Sequence, residues 1–574
     1  MTDIQLPPTD RSCDISQPLE RLSPDETLKY KSEQLRGTIA LGLLDRITSA
    51  VPGTDIKLMK FHGIYQQDDR DVRDERRRQK LEPAYQFMIR VRLPGGICTT
   101  ERWLKITDLA CKHGNETLRM TTRQTFQFHW ILKHDIVPVI RGLHEVLLDT
   151  VAACGDDSRG VMATVNPQFP AIQAELSALA KTVSDHVIPK TRAYHEIWYG
   201  EERIASSEPE EPFYGKTYMP RKFKIGFVAP PNNDIDIYAQ DLGYIAIIGE
   251  DGKIAGFNVA VGGGMGRTDK APQTYPRTAS VIGFITPDRL IAVTEAVMEV
   301  QRDYGNRADR ARARFKYTVD DKGLDWIKLA IEERAGSLEP ARSYDFTSNA
   351  DTYGWVESDD GLHHFTLFIE NGRLNRDELD KIAQIARIHK SHFRLTPNQN
   401  LMISNVTSAE KPKITALLEE TGLIAFNEHS TLRLNSMACV GLPTCGLAMA
   451  DSERYLPSLI TKIEEILTRY NLQDEPITLR MTGCPNGCSR PFIAEVALTG
   501  RAPGKYNLYL GGGFHGQRLN RLYRENIGEE AILEALDEAF SRYAAERLPN
   551  EHFGDFTIRA GIIREVTEGR FSND

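Results

Sequence analysis

No stretch of this 574-residue chain is apolar for long enough to cross a bilayer. Its opening, MTDIQLPPTDRSCDISQ, shows no basic segment followed by an apolar core, so no secretory leader is read there and a cytoplasmic protein is expected. Charge of one sign is not in large excess. The 71 Lys and Arg face 80 Asp and Glu, and the formal net charge of −9 speaks against general nucleic-acid binding while leaving room for a local basic recess. No G-x-G-x-x-G follows a strand and opens a helix, so neither a nicotinamide nor a flavin site is expected. Cysteine is scarce, with eight residues, and a disulfide framework is excluded in so long a chain without an export signal. Four of the eight nevertheless crowd between positions 439 and 488.

The length implies two to four domains. Residues 1 to about 24 are rich in Pro, Asp and Ser and read as mobile. A helix is predicted over roughly 24–50, with Leu28, Leu35, Ile39 and Leu43 at helical spacing. The mixed-charge run QQDDRDVRDERRRQK (66–80) reads as a solvated linker or arm. Beyond it lies an internal repeat. FMIRVRLPGG (87–96) and HHFTLFIENG (363–372) each read as strand and loop. Each is followed by a helix, one carrying Trp103, Ile106, Leu109 and Ala110, the other Leu379, Ile382, Ile385 and Ala386. Arg119-Met-Thr-Thr-Arg-Gln then matches Arg394-Leu-Thr-Pro-Asn-Gln, and forty-three residues after each arginine stands Met162 or Met437. Asn258 before Gly262–Gly264 matches Asn507 before Gly511–Gly513. The fold class expected is α+β, internally duplicated, each half pairing a small strand–helix–strand module with a larger mixed α/β domain, and a ligand between the halves.

The dense cysteine segment reads Cys439-Val-Gly-Leu-Pro-Thr-Cys445, then Cys484-Pro-Asn-Gly-Cys488. Four thiolates from two loops are what a cubane iron–sulfur cluster needs, one per iron. Pro443 and the Pro485-Asn486-Gly487 turn keep these loops out of regular helix, so backbone N–H groups can turn toward sulfur. Structural zinc also takes four cysteines, but in C-x2–4-C spacings. Inert buried thiols remain the third reading, the one favoured for the scattered Cys13, Cys98, Cys111 and Cys154.

C-x5-C…C-x3-C with TGCPNGC resembles the siroheme-containing sulfite and nitrite reductases. The resemblance extends through LRGTIA (35–40), FHGIYQQDDRD (61–71), RVRLPGG, TRQTFQFH (122–129), RAYHEIW, YMPRKFK (218–224), GNRADR (305–310), NSMACVGLPTC and GDFTIRAGIIR, and is nearest to the assimilatory sulfite reductase branch. It implies ferredoxin-like half-modules and two siroheme-binding domains in pseudo-two-fold symmetry. The expected divisions are an N-terminal arm 1–75, a first half-module 76–150, a first siroheme-binding domain 151–345, a second half-module 346–425, and a cysteine-bearing second siroheme-binding domain 426–574. It further implies one [4Fe–4S] cluster on Cys439, Cys445, Cys484 and Cys488, and one siroheme whose iron shares the Cys488 sulfur. The reaction implied is six-electron reduction of sulfite to sulfide, with nitrite to ammonia as alternative. Electrons would come from an NADPH-dependent flavoprotein subunit, with ferredoxin as the other candidate and residues 1–75 as docking segment. A non-catalytic redox sensor is the reading from a different class.

Siroheme carries eight carboxylates, so its site must supply cations. Arg119 and Arg123, flanking Thr121, point the same way if the stretch is extended, and guanidinium forks match carboxylates. By resemblance they hold the macrocycle's acid groups, with Gln127, His129, Arg221 and Asn486 nearby and Asn306, Arg307 and Arg310 as further candidates. A charged surface helix start is the plain alternative for the last three. By resemblance again, Arg90, Arg159, Lys222 and Lys224 surround the substrate anion, with Arg92 competing with Arg90. Lys222 and Lys224 share a face if PRKFK is extended, with Phe223 turned into the core. The glycine runs are expected to let backbone approach a large flat ligand.

Overall fold

A computed structural model describes residues 18–573, except 166, 191–195, 200–201 and 207–210; for the strands Glu196–Tyr199 and Glu202–Ser206 it describes the backbone alone. Cys13 and the first part of RAYHEIW lie outside the described residues.

Four five-stranded sheets carry the fold. The first small sheet runs Ile64–Asp68, Tyr85–Arg90, Phe126–Ile131, Leu118–Met120, and ends on a strand of the other half, Arg373–Leu374. The second runs Gly354–Glu357, His363–Leu367, Leu401–Val406, His392–Leu395, and ends on Ile97–Thr99 of the first half. The two modules have therefore exchanged an edge strand. Helices Thr100–His113 and Arg376–Ile388 bury the apolar faces read from their periodicity, and both faces join one continuous core. Thr99 caps the first through Arg102 N, and a capping box of Asn375 and Glu378 opens the second.

The two large sheets share one topology. Met162–Ala163, Ile225–Val228 and Leu242–Ile248 run parallel, and Ile254–Val261 and Ser280–Ile285 continue antiparallel. Ser436–Ala438, Leu479–Thr482, Val496–Ala502, Lys505–Leu510 and Arg521–Ile527 repeat the pattern. Register fixes the equivalences. Met162 lies opposite Gly226, and Gly226 opposite Gly243. Met437 lies opposite Arg480, and Arg480 opposite Ala497. Asn258 faces Ile245 just as Asn507 faces Thr499.

The middle glycine of each run is required by protein packing, because a Cβ at Gly263 would strike the carbonyl oxygens of Tyr238 and Gln240, and one at Gly512 that of Ala494. Two expectations change. The helix predicted over 24–50 splits into Pro24–Tyr30 and Ile39–Leu44, since Glu33, Gln34 and Leu35 take positive φ between them. Nor do residues 18–75 form an arm. Leu35, Leu58 and Phe61 enter the core of the first large sheet, and Glu26 pairs with Arg307 at 2.6 Å in the interior. Removing this segment to probe docking would therefore cut into the folded core.

Candidate functional site

Strand Phe126–Ile131 alternates: Phe126 and Phe128 enter the core, while Gln127 and His129 take the opposite face. Register sets Arg90, Gln127, Arg119 and Arg373 in one row across the small sheet. Arg90 donates to Cys154 Sγ at 2.9 Å, and the Gln127 amide, turned to accept, lies 2.5 Å from Arg90 Nη2. Arg92 is spent elsewhere, on Ala152 O, Ser158 O, Ser184 O and Ser184 Oγ. Both ring nitrogens of His129 are buried without a partner. Burial, then the charges of Arg373, Arg119 and Arg90, hold its pKa well below the usual range, so the ring is neutral.

Arg119 and Arg123 do not share a direction. Thr121 N donates to Thr125 O and Gln124 has φ 53°, so the stretch is a tight turn rather than extended chain. Arg119 binds Glu453 at 2.7 Å and Ala438 O at 2.8 Å, bracing the residues beside Cys439. Arg123 turns to Gln240 and Gly160 O, its Nε left without a partner. Burial, then Arg159, draws the Arg123 pKa down to about 9.

Arg159 donates to Gly155 O and Ala153 O within the loop that follows Thr150. Phe223 bridges Ser158 and is fully buried, which leaves Lys222 and Lys224 together on the other side. Among the described residues neither Nζ has a hydrogen-bond or ion-pair partner. Burial depresses both lysines well below the normal ammonium range, helped at Lys222 by Arg314, Arg221 and Arg159, and at Lys224 by Lys222 and Arg123. Cys488 is near enough for its thiolate to act on Lys222 in the opposite sense. Arg221 reaches Asp156 at 3.4 Å.

The cysteine loops leave the ends of two neighbouring parallel strands, with Cys439 N donating to Met481 O. Gly483 N donates to Cys439 Sγ at 3.2 Å and Asn486 Nδ2 to Cys484 Sγ at 3.3 Å. Cys488 is exposed between buried neighbours. Burial and the adjacent thiols push Cys439 up and Cys484 up to about 12. Among the described residues no three His, Cys, Asp or Glu side chains converge on a single-ion site. Four thiols that feel one another without converging on a point lack the geometry of mononuclear zinc.

The other candidates fall elsewhere. Arg307 is buried on Glu26, Tyr218 O and Arg302 O, and Arg310 is tied to Asp156, so both brace the protein and neither is a surface charge free for a ligand. Asn306 caps its own turn through Ala308 N and Asp309 N. Sequence reasoning missed Arg314, paired with Asp241 at 2.9 Å with Nε orphaned, and Arg267, whose buried Nε and Nη1 have no partner beside the Pro485 turn. It also missed Arg70, from the presumed solvated run, which donates to Cys445 O and Ala448 O and clamps the cysteine loop. Arg314 stands four residues beyond the GNRADR motif, and Arg267 just past the first glycine run.

Paired ferredoxin-like modules, paired large sheets, four thiols and a cationic face define a class of duplicated α+β redox protein. The comparisons narrow it. The family "Nitrite and sulphite reductase 4Fe-4S domain" matches residues 179–338, and "Nitrite/Sulfite reductase ferredoxin-like half domain" matches 78–146 and 356–421. The sulfite reductase (NADPH) hemoprotein beta-component of Nitrosomonas eutropha is 90% identical over 569 residues, 99% of both chains. That of Afipia carboxidovorans is 65% identical over 98% of this chain and 99% of its own. The solved structure of the Mycobacterium tuberculosis NirA protein superposes with a TM-score of 0.78 at 24% identity, over 95% of this chain and 97% of that one. The chain belongs to the nitrite and sulfite reductase family, in the branch of the sulfite reductase hemoprotein beta-components.

Proposed function

We propose that this chain reduces sulfite to sulfide by six electrons, as the hemoprotein component of an NADPH-dependent sulfite reductase whose flavoprotein partner supplies the electrons. The observation that carries the reading is the cation group Arg90, Arg159, Lys222 and Lys224, whose two ammonium groups have no partner among the described residues, with Lys222 near enough to Cys488 to feel its charge.

Cys439, Cys445, Cys484 and Cys488 would hold the [4Fe–4S] cluster, and Cys488 would also help hold the siroheme. The donor set fits, since four mutually repelling thiols stay deprotonated together only around cationic metal. The orphaned donors of Arg123, His129, Arg267 and Arg314 fit a ligand rich in carboxylates. Arg221, Gln127 and Asn486 are assigned to the same cofactor. When bound, the two groups supply electrons one at a time at the substrate sulfur. The chain's own residues do the rest. Arg90 and Arg159 clamp the sulfite oxygens as fixed positive charge. Lys222 and Lys224, lowered toward neutrality by burial, by the nearby arginines and, at Lys224, by Lys222, give up protons as oxygen leaves as water.

Steady-state turnover with a chemically reduced viologen tests this. A higher kcat/KM for sulfite than for nitrite, with sulfide as sole product, is expected. A preference for nitrite would overturn the substrate and leave the residue roles standing.

A further inference from the structure

Asp236 and Arg490 occupy equivalent positions of the two halves. Each caps a short 3-10 turn in left-handed conformation, with φ 49° and 54°, and each stands seven residues before the matched pair Gly243 and Ala497. Yet they meet: Arg490 Nε donates to Asp236 Oδ2, so the pair straddles the axis that relates the halves. The remaining Arg490 donors follow the same symmetry. Nη1 reaches Thr122 O at 2.9 Å and Nη2 reaches Pro397 O at 3.1 Å. Thr122 and Pro397 are themselves equivalent, three residues after Arg119 and Arg394, which hold matching places on their sheets. The match is broken once. Where the first half has Gly226, the second has Arg480, whose Nη1 binds Asp236 Oδ2 at 2.7 Å and Arg490 O at 3.2 Å. One carboxylate thus faces two guanidinium groups, all three buried.

Arg490 lies two residues after Cys488, and its N–H closes the turn on Gly487 O. Thr122 Oγ1 donates to Cys488 O and Ser489 Oγ to Met481 O, so this turn is anchored to both halves at once. We propose that Asp236 is the positioning residue which, from the pseudo-two-fold axis, holds Arg490 and with it the Cys484–Cys488 turn. This rests on the reading that the four cysteines hold the cluster. Asp236 then contributes a fixed negative charge to the cluster's surroundings, which opposes taking up an electron, and Arg480 contributes the reverse.

The test is the cluster midpoint potential in intact, cofactor-loaded protein, followed by visible and EPR spectra. Asp236→Asn keeps the shape and removes the charge, so the potential rises. Arg480→Gln leaves one neutral pair, so the potential falls. Shifts of opposite sign support the assignment; no shift in either variant, or shifts of one sign, overturn it. If Asp236→Asn fails to fold, Arg480→Gln decides alone, a fall supporting the assignment and an unchanged potential overturning it. Wild-type protein lacking iron–sulfur iron would instead defeat the cluster reading, a failure distinguishable from that of the positioning role.

Discussion

Lys222 and Lys224 carry like charge two positions apart because buried Phe223 turns both to one side. Burial weakens both ammonium groups, the surrounding arginines weaken both further, and Lys222 adds to the effect at Lys224. The proton-donating form is complete below the depressed pKa and lost as pH rises through it. The basic limb of kcat is therefore expected at lower pH than the ~10.4 of a free lysine. Lys224→Met should lower kcat by about 10²–10⁴-fold, whereas Lys224→Arg, which stays charged, should hold KM for sulfite while kcat falls, leaving the basic limb to Lys222. Viologen-driven rates from neutral to alkaline pH check both. Alternation in PRKFK made it legible that these lysines share a side, while their role at the anion came from the resemblance alone. Arg267 and Arg314 were not, because only tertiary folding leaves their donors buried and empty-handed. The shared direction of Arg119 and Arg123 was misjudged because a turn that Gln124 closes at positive φ looks extended in sequence.

Among the elements, the exchanged strands Ile97–Thr99 and Arg373–Leu374 are too short for any periodicity to reveal. Their signature lies just before them. Gly96 and Gly372 both have φ 70°, and a Cβ would come within 2.6 Å of Leu395 O at one and 2.5 Å of Met120 O at the other. Leu395 and Met120 hold equivalent places on the two small sheets. Alanine at either glycine meets the left-handed penalty of about 1–2 kcal/mol and displaces a partner carbonyl as well. Urea unfolding of Gly96→Ala and Gly372→Ala should therefore show comparable losses, each at least ~1 kcal/mol. The long amphipathic helices were readable, since four buried positions at 3.6 spacing leave little choice. The break after Tyr30 was not, because Glu33, Gln34 and Leu35 are residues that ordinarily continue a helix, and the lone Gly37 after them is a weak signal.

For the whole molecule, the repeat gave the duplication, and shared topology of the large sheets extends it to strands with no common residue pattern. What the repeat could not show is that the small modules share one core and trade strands across it. We divide the chain between 345 and 346, the expected boundary of the halves. Expressed alone, residues 1–345 and 346–574 should each be insoluble or unfolded by circular dichroism; co-expressed, they should co-purify as one folded complex. The exchange also sets an order of events during synthesis. Ile97–Thr99 leaves the ribosome long before its partner His392–Leu395 exists. At ~5–20 residues per second the nascent chain carries that unpaired edge for roughly 15–60 s. Through that interval the growing chain offers a bare strand to any neighbour, a hazard set by the place where one short strand was lent away.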